Sequence, residues 1–252
     1  MRELAVELKQ LRMHGMAGAW SDLMEQGGSA ALESSRWLLE HLLQAETTDR
    51  AMRSVSHQMH TAKFPVHRDL VGFDFEVSPV DRKLIHTLAE MTFTDAAHNA
   101  VLVGKPGTGK SHVAKALTYQ ATLQGYDVRY VEADSAFAHY SLATPQEQGK
   151  LLRDLLEPDL LVLDDLFLAR RIADAGAEML QAVVHQRYKL RRSIVVTSNR
   201  VVQDWGKYLG DNIMGITILD RLMHRSILLE FEGRSYRLKE AAARMAREPS
   251  ND

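Results

Sequence analysis

The residues of this sequence that are best suited to chemistry form a glycine-rich segment that ends in lysine and serine. With the histidine that follows, the segment consists of Gly104, Lys105, Pro106, Gly107, Thr108, Gly109, Lys110, Ser111 and His112. It fits the pattern G-x-x-x-x-G-K-[ST], whose glycines let the backbone turn its N–H groups toward phosphates. Lys110 supplies a positive charge for the β- and γ-phosphates, and the Ser111 hydroxyl is placed to ligate Mg²⁺. We therefore predict a loop that binds ATP together with Mg²⁺.

The surroundings of this segment agree with the prediction. The apolar run from Ala100 to Val103 precedes it, and a helical pattern follows it as far as Gly125. A phosphate loop needs this strand–loop–helix context, whereas an accidental glycine-rich turn does not. The following helix also directs its positive N-terminal end toward the phosphates.

Two adjacent carboxylates, Asp164 and Asp165, follow a second apolar run, Leu160 to Leu163. Unpaired buried charges are costly, so a buried strand has little structural reason to end in this way. Beside a magnesium nucleotide, Asp164 would hold the metal through its water shell, and Asp165 would orient or deprotonate the attacking water. The alternative is a solvated turn after the strand.

A third apolar run, Ile194 to Thr197, leads to Asn199. At the tip of this strand, Asn199 could donate a hydrogen bond to the γ-phosphate or to the attacking water. An asparagine that merely forms a turn explains the spacing equally well.

The elements that must position these residues alternate between short apolar runs and helical patterns. Further runs cover Val128 to Val131 and Ile227 to Phe231. This alternation predicts an α/β fold with a parallel sheet that is covered by helices on both faces. Residues 1–68 show helical periodicity and predict a small all-α N-terminal domain, so residues 69–252 are left for the nucleotide-binding domain.

Composition excludes several classes of protein. The chain has 252 residues, of which 45% are apolar, so it can form a substantial core. It contains no cysteine, which excludes disulfides and cysteine-based zinc sites. No signal peptide and no apolar run of roughly 20 residues is present, so we expect a soluble cytoplasmic protein without a membrane partner. The net charge of −2 gives no global attraction to nucleic acid.

Several stretches of the chain together carry a family resemblance. They are Leu11–Met16, Leu42–Glu46, Phe73–Phe75, Val103–Lys110, Pro158–Leu166, Arg187–Tyr188, Thr197–Asn199, Leu219–Leu222 and Ser235–Lys239. With these stretches the sequence resembles AAA+ ATPases of the initiator and helicase-loader branch, and more closely the IstB-type helper ATPases of insertion sequences. The resemblance covers nearly the whole chain, including the N-terminal helices.

The resemblance implies roles that the spacing does not show. Asn199 falls on the sensor-1 position of the family, and Arg221 falls where an arginine finger reaches into the nucleotide site of a neighbouring subunit. Arg225, one helical turn later, is the alternative to Arg221. Proteins of this kind hydrolyse ATP, form homo-oligomers on double-stranded DNA and work with a transposase.

The sequence also departs from the family. Phe167 stands where the family usually has glycine, so we expect the loop beyond Asp165 to take another path. About twenty residues follow the last strand, so we predict no C-terminal helical lid, and Arg237 is a candidate substitute for the missing sensor-2 arginine.

Three basic groups are candidates for contacts with DNA. Arg50 and Arg53 lie on one stripe of the third N-terminal helical pattern, opposite its apolar residues. The other two groups are Lys150 with Arg153, in a helix between the second and third strands, and Arg170 with Arg171. Each group is equally explained as a solvated surface.

Other functions remain possible for the same phosphate loop. A replicative helicase loader shares the ATPase core, and the identity of the co-purifying protein would separate the two readings. A small-molecule kinase would need an acceptor pocket with a lid. A nucleotide switch with negligible hydrolysis also stays open, because Asp165 is shorter than the glutamate that is common in AAA+ proteins.

Overall fold

The computed structural model describes residues 4–10, 13–25, 39, 40, 43, 46, 69–168, 174–209, 212–233 and 235–239. The chain divides into two compact units, Met1–His57 and Gln58–Asp252. The domain boundary predicted from the sequence, between residues 68 and 69, lies later in the chain and stays a prediction. The first boundary falls within residues 47–68, which lie outside the described residues, and the second falls at the end of that range.

The described part of the first unit is helical. Helices α1 (Leu4–Gln10) and α2 (His14–Glu25) bury Leu4, Leu8 and Ala17 in a small core. The helical pattern predicted for this region is thus confirmed for α1 and α2. The third predicted helix, with Arg50 and Arg53, lies outside the described residues.

The second unit contains a five-stranded sheet. Its strands are β1 (Asn99–Gly104), β2 (Val128–Glu132), β3 (Leu160–Leu166), β4 (Ser193–Ser198) and β5 (Ser226–Phe231). They lie in the order β2-β3-β4-β1-β5, and every neighbouring pair is parallel. The predicted parallel sheet and its five apolar runs are therefore confirmed.

Helices connect the strands and cover the sheet. In chain order they are α3 (Arg82–Ala89), α4 (Thr92–Asp95), α5 (Lys110–Leu123), α6 (Ala133–Leu142), α7 (Pro145–Leu156), α8 (Asp174–Leu190), α9 (Trp205–Leu209) and α10 (Asn212–Met223). A short 3₁₀ turn, Val202–Asp204, precedes α9. No helix among the described residues is long and apolar enough to span a bilayer.

The side-chain alternation of the strands divides the core into two layers. In β1, Ala100 and Leu102 face a layer that includes residues of α3, α4 and α5. Their neighbours Val101 and Val103 face the opposite layer, which includes residues of α6, α8, α9 and α10. All six residues of the central strand β4 are buried, as expected for a parallel sheet covered on both faces.

This topology gathers the polar ends of three adjacent strands. Strands β3, β4 and β1 are neighbours and point in the same direction. Their carboxyl ends therefore meet at one edge of the sheet, which we call the carboxyl edge. The opposite edge, where the same strands begin, is the amino edge. Open α/β sheets bind ligands outside the carboxyl ends of their strands.

Candidate nucleotide site

The glycine-rich loop connects the end of β1 directly to the start of α5. Gly107 and Gly109 have φ angles of 78° and 102°, a region that side chains other than glycine rarely adopt. A Cβ atom on Gly109 would lie 2.5 Å from the ring of Phe73, and one on Gly107 would lie 2.1 Å from Ser235 Oγ. Both glycines are therefore required by backbone conformation and by close neighbours.

The N-terminus of α5 has hydrogen-bond donors to offer a ligand. Its N-cap, Gly109, provides no side-chain acceptor, so side-chain capping does not satisfy the first N–H groups of the helix. A phosphate at a helix N-terminus satisfies such groups and interacts favourably with the helix dipole. The ring of His112 contacts the Asp69 carbonyl oxygen through Nε2 at 2.8 Å, so we expect His112 to contribute through its backbone.

Lys110 is buried against the loop that it follows. The residue as a whole is 3% exposed, and its ammonium group donates to the carbonyl oxygen of Lys105 at 2.8 Å. Burial lowers the pKa of Lys110 to about 8, although the nearby carboxylates of Asp165 and Asp164 oppose this shift. The three side chains predicted to act on one nucleotide are thus close enough to interact electrostatically.

Asp164 is held by hydroxyl groups from both neighbouring strands. Thr197 Oγ1, on β4, donates to Asp164 Oδ1 at 2.5 Å, and the Tyr130 hydroxyl, on β2, donates to Asp164 Oδ2. Burial and the adjacent Asp164 carboxylate both raise the pKa of Tyr130, so the phenol stays protonated as a donor. Each carboxylate oxygen is therefore held in a fixed direction.

The same threonine also fixes the backbone of Asp165. The Asp165 amide donates to Thr197 Oγ1 at 2.8 Å, and Asp165 has a left-handed φ of 55°. The pairing of β3 with β4 is irregular between Leu163 and Leu166. Burial and the neighbouring Asp164 raise the pKa of Asp165, which brings this carboxylate closer to the range of a useful general base.

Phe167 closes this turn with a second left-handed residue. Its φ of 64° lies in the region that glycine adopts most easily, which costs a bulky residue about 1–2 kcal/mol. Its ring is fully buried and contacts Trp205 at 5.2 Å and Tyr208 at 5.7 Å between ring centroids. Aromatic burial offsets the backbone strain, so this position accepts phenylalanine in a glycine-like conformation.

Asn199 and Arg221 lie beside opposite edges of the sheet. Asn199 directly follows β4, whose last residue, Ser198, pairs with Val103 of β1, so Asn199 lies at the carboxyl edge. Arg221 lies in the last turn of α10 and lines a cavity beside Asn99, the first residue of β1. The 6 residues of β1 span roughly 20 Å, so Arg221 is remote from the phosphate loop of its own chain.

A helical turn beyond β5 contacts the phosphate loop. The Tyr236 amide donates to the Gly107 carbonyl oxygen at 3.0 Å. Arg237 is close enough to lower the pKa of both Lys110 and Asp165. It also lines a cleft of about 1320 Å³ together with Lys105 and Gly107. Arg237, a candidate sensor in the sequence, therefore lies beside the loop, and residues 240–252 lie outside the described residues.

Sequence reasoning missed Tyr130 and Ser235 and overlooked the side chain of Thr197. A hydroxyl inside an otherwise apolar strand weakly indicates a hydrogen-bonding role, and Thr197 offered this signal. Tyr130 gave no such signal, because tyrosine is common in strands. Its contact with Asp164 depends on the register, in which Glu132, two residues farther along β2, pairs with Asp164.

The donor set at the carboxyl edge fits Mg²⁺. Ser111 and Asp164 offer a hydroxyl and a carboxylate, the oxygen ligands that this cation prefers. Among the described residues, no group of three or more His, Cys, Asp and Glu side chains could hold a metal by itself. The ion would therefore depend on nucleotide phosphates for further ligands, which is its usual mode of binding.

The DNA-contact candidates are only partly described. Lys150 and Arg153 lie exposed on α7, which lies in the connection from β2 to β3, as predicted. Arg170 and Arg171 lie outside the described residues, as do Arg50 and Arg53. These assignments stay predictions.

Comparison with known proteins gives the family of this chain. The model of the family described as "IstB-like ATP binding protein" matches residues 6–244. A protein of insertion sequence IS21 from Pseudomonas aeruginosa, named for ATP binding, is 34% identical over 245 residues, which are 95% of this chain and 90% of the relative. A similarly named protein of IS5376 from Geobacillus stearothermophilus is 31% identical over 235 residues, 92% of each chain.

Solved structures show the same fold at lower identity. The crystal structure of DnaI matches with a TM-score of 0.58 and 18% identity over 66% of this chain and 92% of that one. The DnaC helicase loader matches with a TM-score of 0.50 and 23% identity over 60% of this chain and 87% of that one. The fold is thus that of AAA+ P-loop proteins. With its phosphate loop, paired aspartates and match over nearly its whole length, the chain belongs to the family of IstB-like ATP-binding proteins.

Proposed function

We propose that this protein hydrolyses ATP with Mg²⁺ while assembled on double-stranded DNA, and that it assists the transposase of its insertion sequence. The observation that carries the hydrolysis proposal is the convergence at the carboxyl edge. A phosphate loop with a buried lysine, a carboxylate held by two hydroxyls and a second carboxylate with a raised pKa meet there. Binding alone does not require the second carboxylate, whereas activation of water does.

Each group has a distinct role in the proposed reaction. The loop amides and Lys110 bind and orient the β- and γ-phosphates. Mg²⁺, held by Ser111 and by Asp164, would neutralise charge on the phosphate oxygens. Asp165 accepts a proton from the attacking water or orients it, and Asn199 donates a hydrogen bond at the same edge. Thr197 contacts the Asp164 carboxylate and the Asp165 backbone amide, so it fixes the metal-side carboxylate and the backbone that bears the water-side carboxylate.

The proposed assembly follows from the position of Arg221. This residue lies at the amino edge and is remote from its own phosphate loop, so it can stabilise a transferring phosphoryl group only in a neighbouring copy. An arginine supplied in this way is worth a rate factor of roughly 10³ to 10⁵. Hydrolysis would then depend on assembly, and DNA that gathers several copies would stimulate it.

The relatives support the transposition role. Those that are more than 30% identical over most of the chain are named as proteins of insertion sequences. The likeness to a helicase loader concerns the fold alone. We therefore propose a transposase, and not a helicase, as the partner.

The test measures phosphate release from ATP with and without duplex DNA, for the wild-type chain and for Asp165→Asn. We expect stimulation by DNA in the wild type and loss of turnover in the variant, which keeps the shape of the side chain but loses the base. A rate of ATP turnover that is the same with and without duplex DNA would contradict the proposed assembly on DNA. Capture of a helicase instead of the transposase of the same element would favour the loader.

A further inference from the structure

The amino edge of the sheet contains a cavity of about 170 Å³. It lies beside the first residues of β1 and β4 and is bordered by the end of α8 and the segment from α10 to β5. Ten of the described residues line it, among them Arg187, Arg191, Arg192, Arg221 and Arg225. Five of these described residues are arginines, and none is an acid. We call this the arginine cavity.

Two of the arginines build its wall. Arg187 is fully buried and donates to the carbonyl oxygens of Leu155, Leu156, Pro158, Asp159 and Ser193. Arg192 donates to the carbonyl oxygens of Leu156 and Glu157. These bonds fix both cations in place. The Nε atom of Arg187 is buried without an acceptor among the described residues.

The other three arginines keep donors available. Arg191 and Arg225 are exposed, and Arg221 is half-buried with one bond from Nη1 to the Thr217 carbonyl oxygen at 3.2 Å. Within the described parts of the chain, the ion pairs involve other residues than these three. Asp159 and Asp127 lie outside the lining and interact electrostatically with Arg187. Within the described lining itself the charged groups are all cations, and an anion relieves their mutual repulsion.

Arg191 also occupies a strained position. It follows α8 with a left-handed φ of 55°, and its amide donates to the Tyr188 carbonyl oxygen at 3.3 Å. Glycine is the usual residue at this position after a helix, since it adopts the conformation without a steric penalty. Arg191 thus places a cation at the cavity from a backbone position where glycine would be unstrained.

We propose that the arginine cavity binds a phosphate group. Guanidinium groups suit phosphate because their planar N–H donors match its oxygens in pairs. A concave cavity fits a small anion or a terminal phosphate, whereas contacts to a DNA backbone need only protruding cations. The phosphate could be free in solution, or it could be the terminal phosphate of a nucleotide on a second copy; the second source rests on the proposed function.

The test titrates inorganic phosphate into the full chain by calorimetry. The Lys110→Ala background removes the cation of the phosphate loop, so that the loop binds phosphate much more weakly and competes less. Arg191→Gly and Arg225→Gln should each weaken binding about tenfold or more, because each removes charge-assisted hydrogen bonds. Lys189→Gln is the matched control, since Lys189 is exposed at the end of the same helix but does not line the cavity. It should change the affinity less than twofold.

Stability separates loss of the site from loss of the fold. Arg191→Gly relieves the left-handed strain, so its thermal midpoint should equal or exceed that of its parent. Lost phosphate binding at an unchanged midpoint therefore supports the site. The inference is overturned if phosphate does not bind saturably, or if Arg191→Gly and Lys189→Gln bind it equally. It is also overturned if the arginine variants lose only duplex DNA binding, which would make the surface a DNA contact.

A second arm identifies the source of the phosphate. The Lys110→Ala chain, with an intact cavity, is mixed with Asp165→Asn loaded with ATP, and association is followed by sedimentation. If Arg191→Gly in the Lys110→Ala chain weakens association, the phosphate comes from the second copy. If association is unchanged while phosphate binding is lost, the ligand is free phosphate. Neither experiment requires hydrolysis. A protein without ATPase activity would therefore refute the proposed function without affecting the test of the phosphate site.

Discussion

The two edges of the sheet carry opposite arrangements of charge. At the carboxyl edge, the cation Lys110 lies near two carboxylates, and hydroxyls of adjacent strands hold one of them. At the amino edge, five arginines line one cavity without an acid among the described lining residues. The first edge has the groups of both signs that a magnesium nucleotide needs. The lining of the second edge offers cations alone, so it suits an anion that another molecule supplies.

The largest effect is expected for Arg221. Its substitution tests whether the amino edge of one copy acts on the nucleotide at the carboxyl edge of another copy. Arg221→Ala should lower DNA-stimulated turnover by roughly 10³-fold or more, because the transferring phosphoryl group loses its cation. Mixing this variant with Lys110→Ala, also inactive, should restore part of the activity. Some interfaces then join an intact phosphate loop to an intact arginine.

The control for this mixture is Arg225→Ala with Lys110→Ala. If the Arg225 variant is inactive alone and recovers on mixing, while Arg221→Ala keeps its turnover, then Arg225 is the finger. If no ratio of Arg221→Ala to Lys110→Ala restores turnover although the chains assemble together, the action of Arg221 in a neighbouring copy is excluded.

The next prediction separates binding from turnover at the carboxyl edge. Lys110→Ala should weaken ATP binding about 100-fold, since the phosphates lose a buried cation. Asp165→Asn should bind ATP nearly as well as the wild type and lose turnover by about 10²- to 10⁴-fold. Calorimetry and phosphate release measure the two effects. Equal loss of ATP binding in both variants would show that the assigned roles are wrong.

A smaller effect is expected from the hydroxyls that hold Asp164. Thr197→Val should lower the free energy of unfolding by about 1–3 kcal/mol, because the Asp165 amide and the Asp164 carboxylate lose a partner. The matched control is Thr118→Val, since Thr118 is equally buried but its hydroxyl donates within its own helix, to the Ala114 carbonyl oxygen. Thr197→Ser should restore both bonds.

Tyr130→Phe tests the second hydroxyl without changing the size of the ring. It should leave ATP binding without metal unchanged but raise the Mg²⁺ concentration needed for half-maximal turnover severalfold, since Asp164 loses one of its two fixed directions. Denaturant unfolding of the same variant checks the fold. An unchanged Mg²⁺ requirement would reduce the tyrosine to a packing role.

The last prediction concerns the pH dependence of ATP binding. Because the pKa of Lys110 is lowered to about 8 in the free protein, the ammonium group loses its proton as the pH rises above that value. Bound phosphates favour the charged form, so ATP affinity should be constant just below pH 8 and fall by up to about tenfold per pH unit above it. Calorimetry between pH 7.5 and 9.5 measures this. Lys110→Arg stays charged, and its affinity should not depend on pH in this range.

The sequence by itself determined the fold class and the positions of the main groups. Apolar runs of strand length and helical patterns between them require a parallel sheet, because both faces of such strands must be covered. The phosphate loop is a local feature, so its residues suffice to recognise it. Once the strands are parallel, polar residues that directly follow them, such as Asp164 and Asn199, must lie at the same edge.

Only the tertiary structure decided which side chains touch across the elements. The contact of Tyr130 with Asp164 depends on the pairing of β2 with β3, two strands that α6 and α7 separate along the chain. The arginine cavity likewise combines the end of α8 with residues of α10 and the turn before β5. Periodicity gives the face of each element but neither its neighbours nor its register. Contacts between distant elements therefore became visible only when the packing was known.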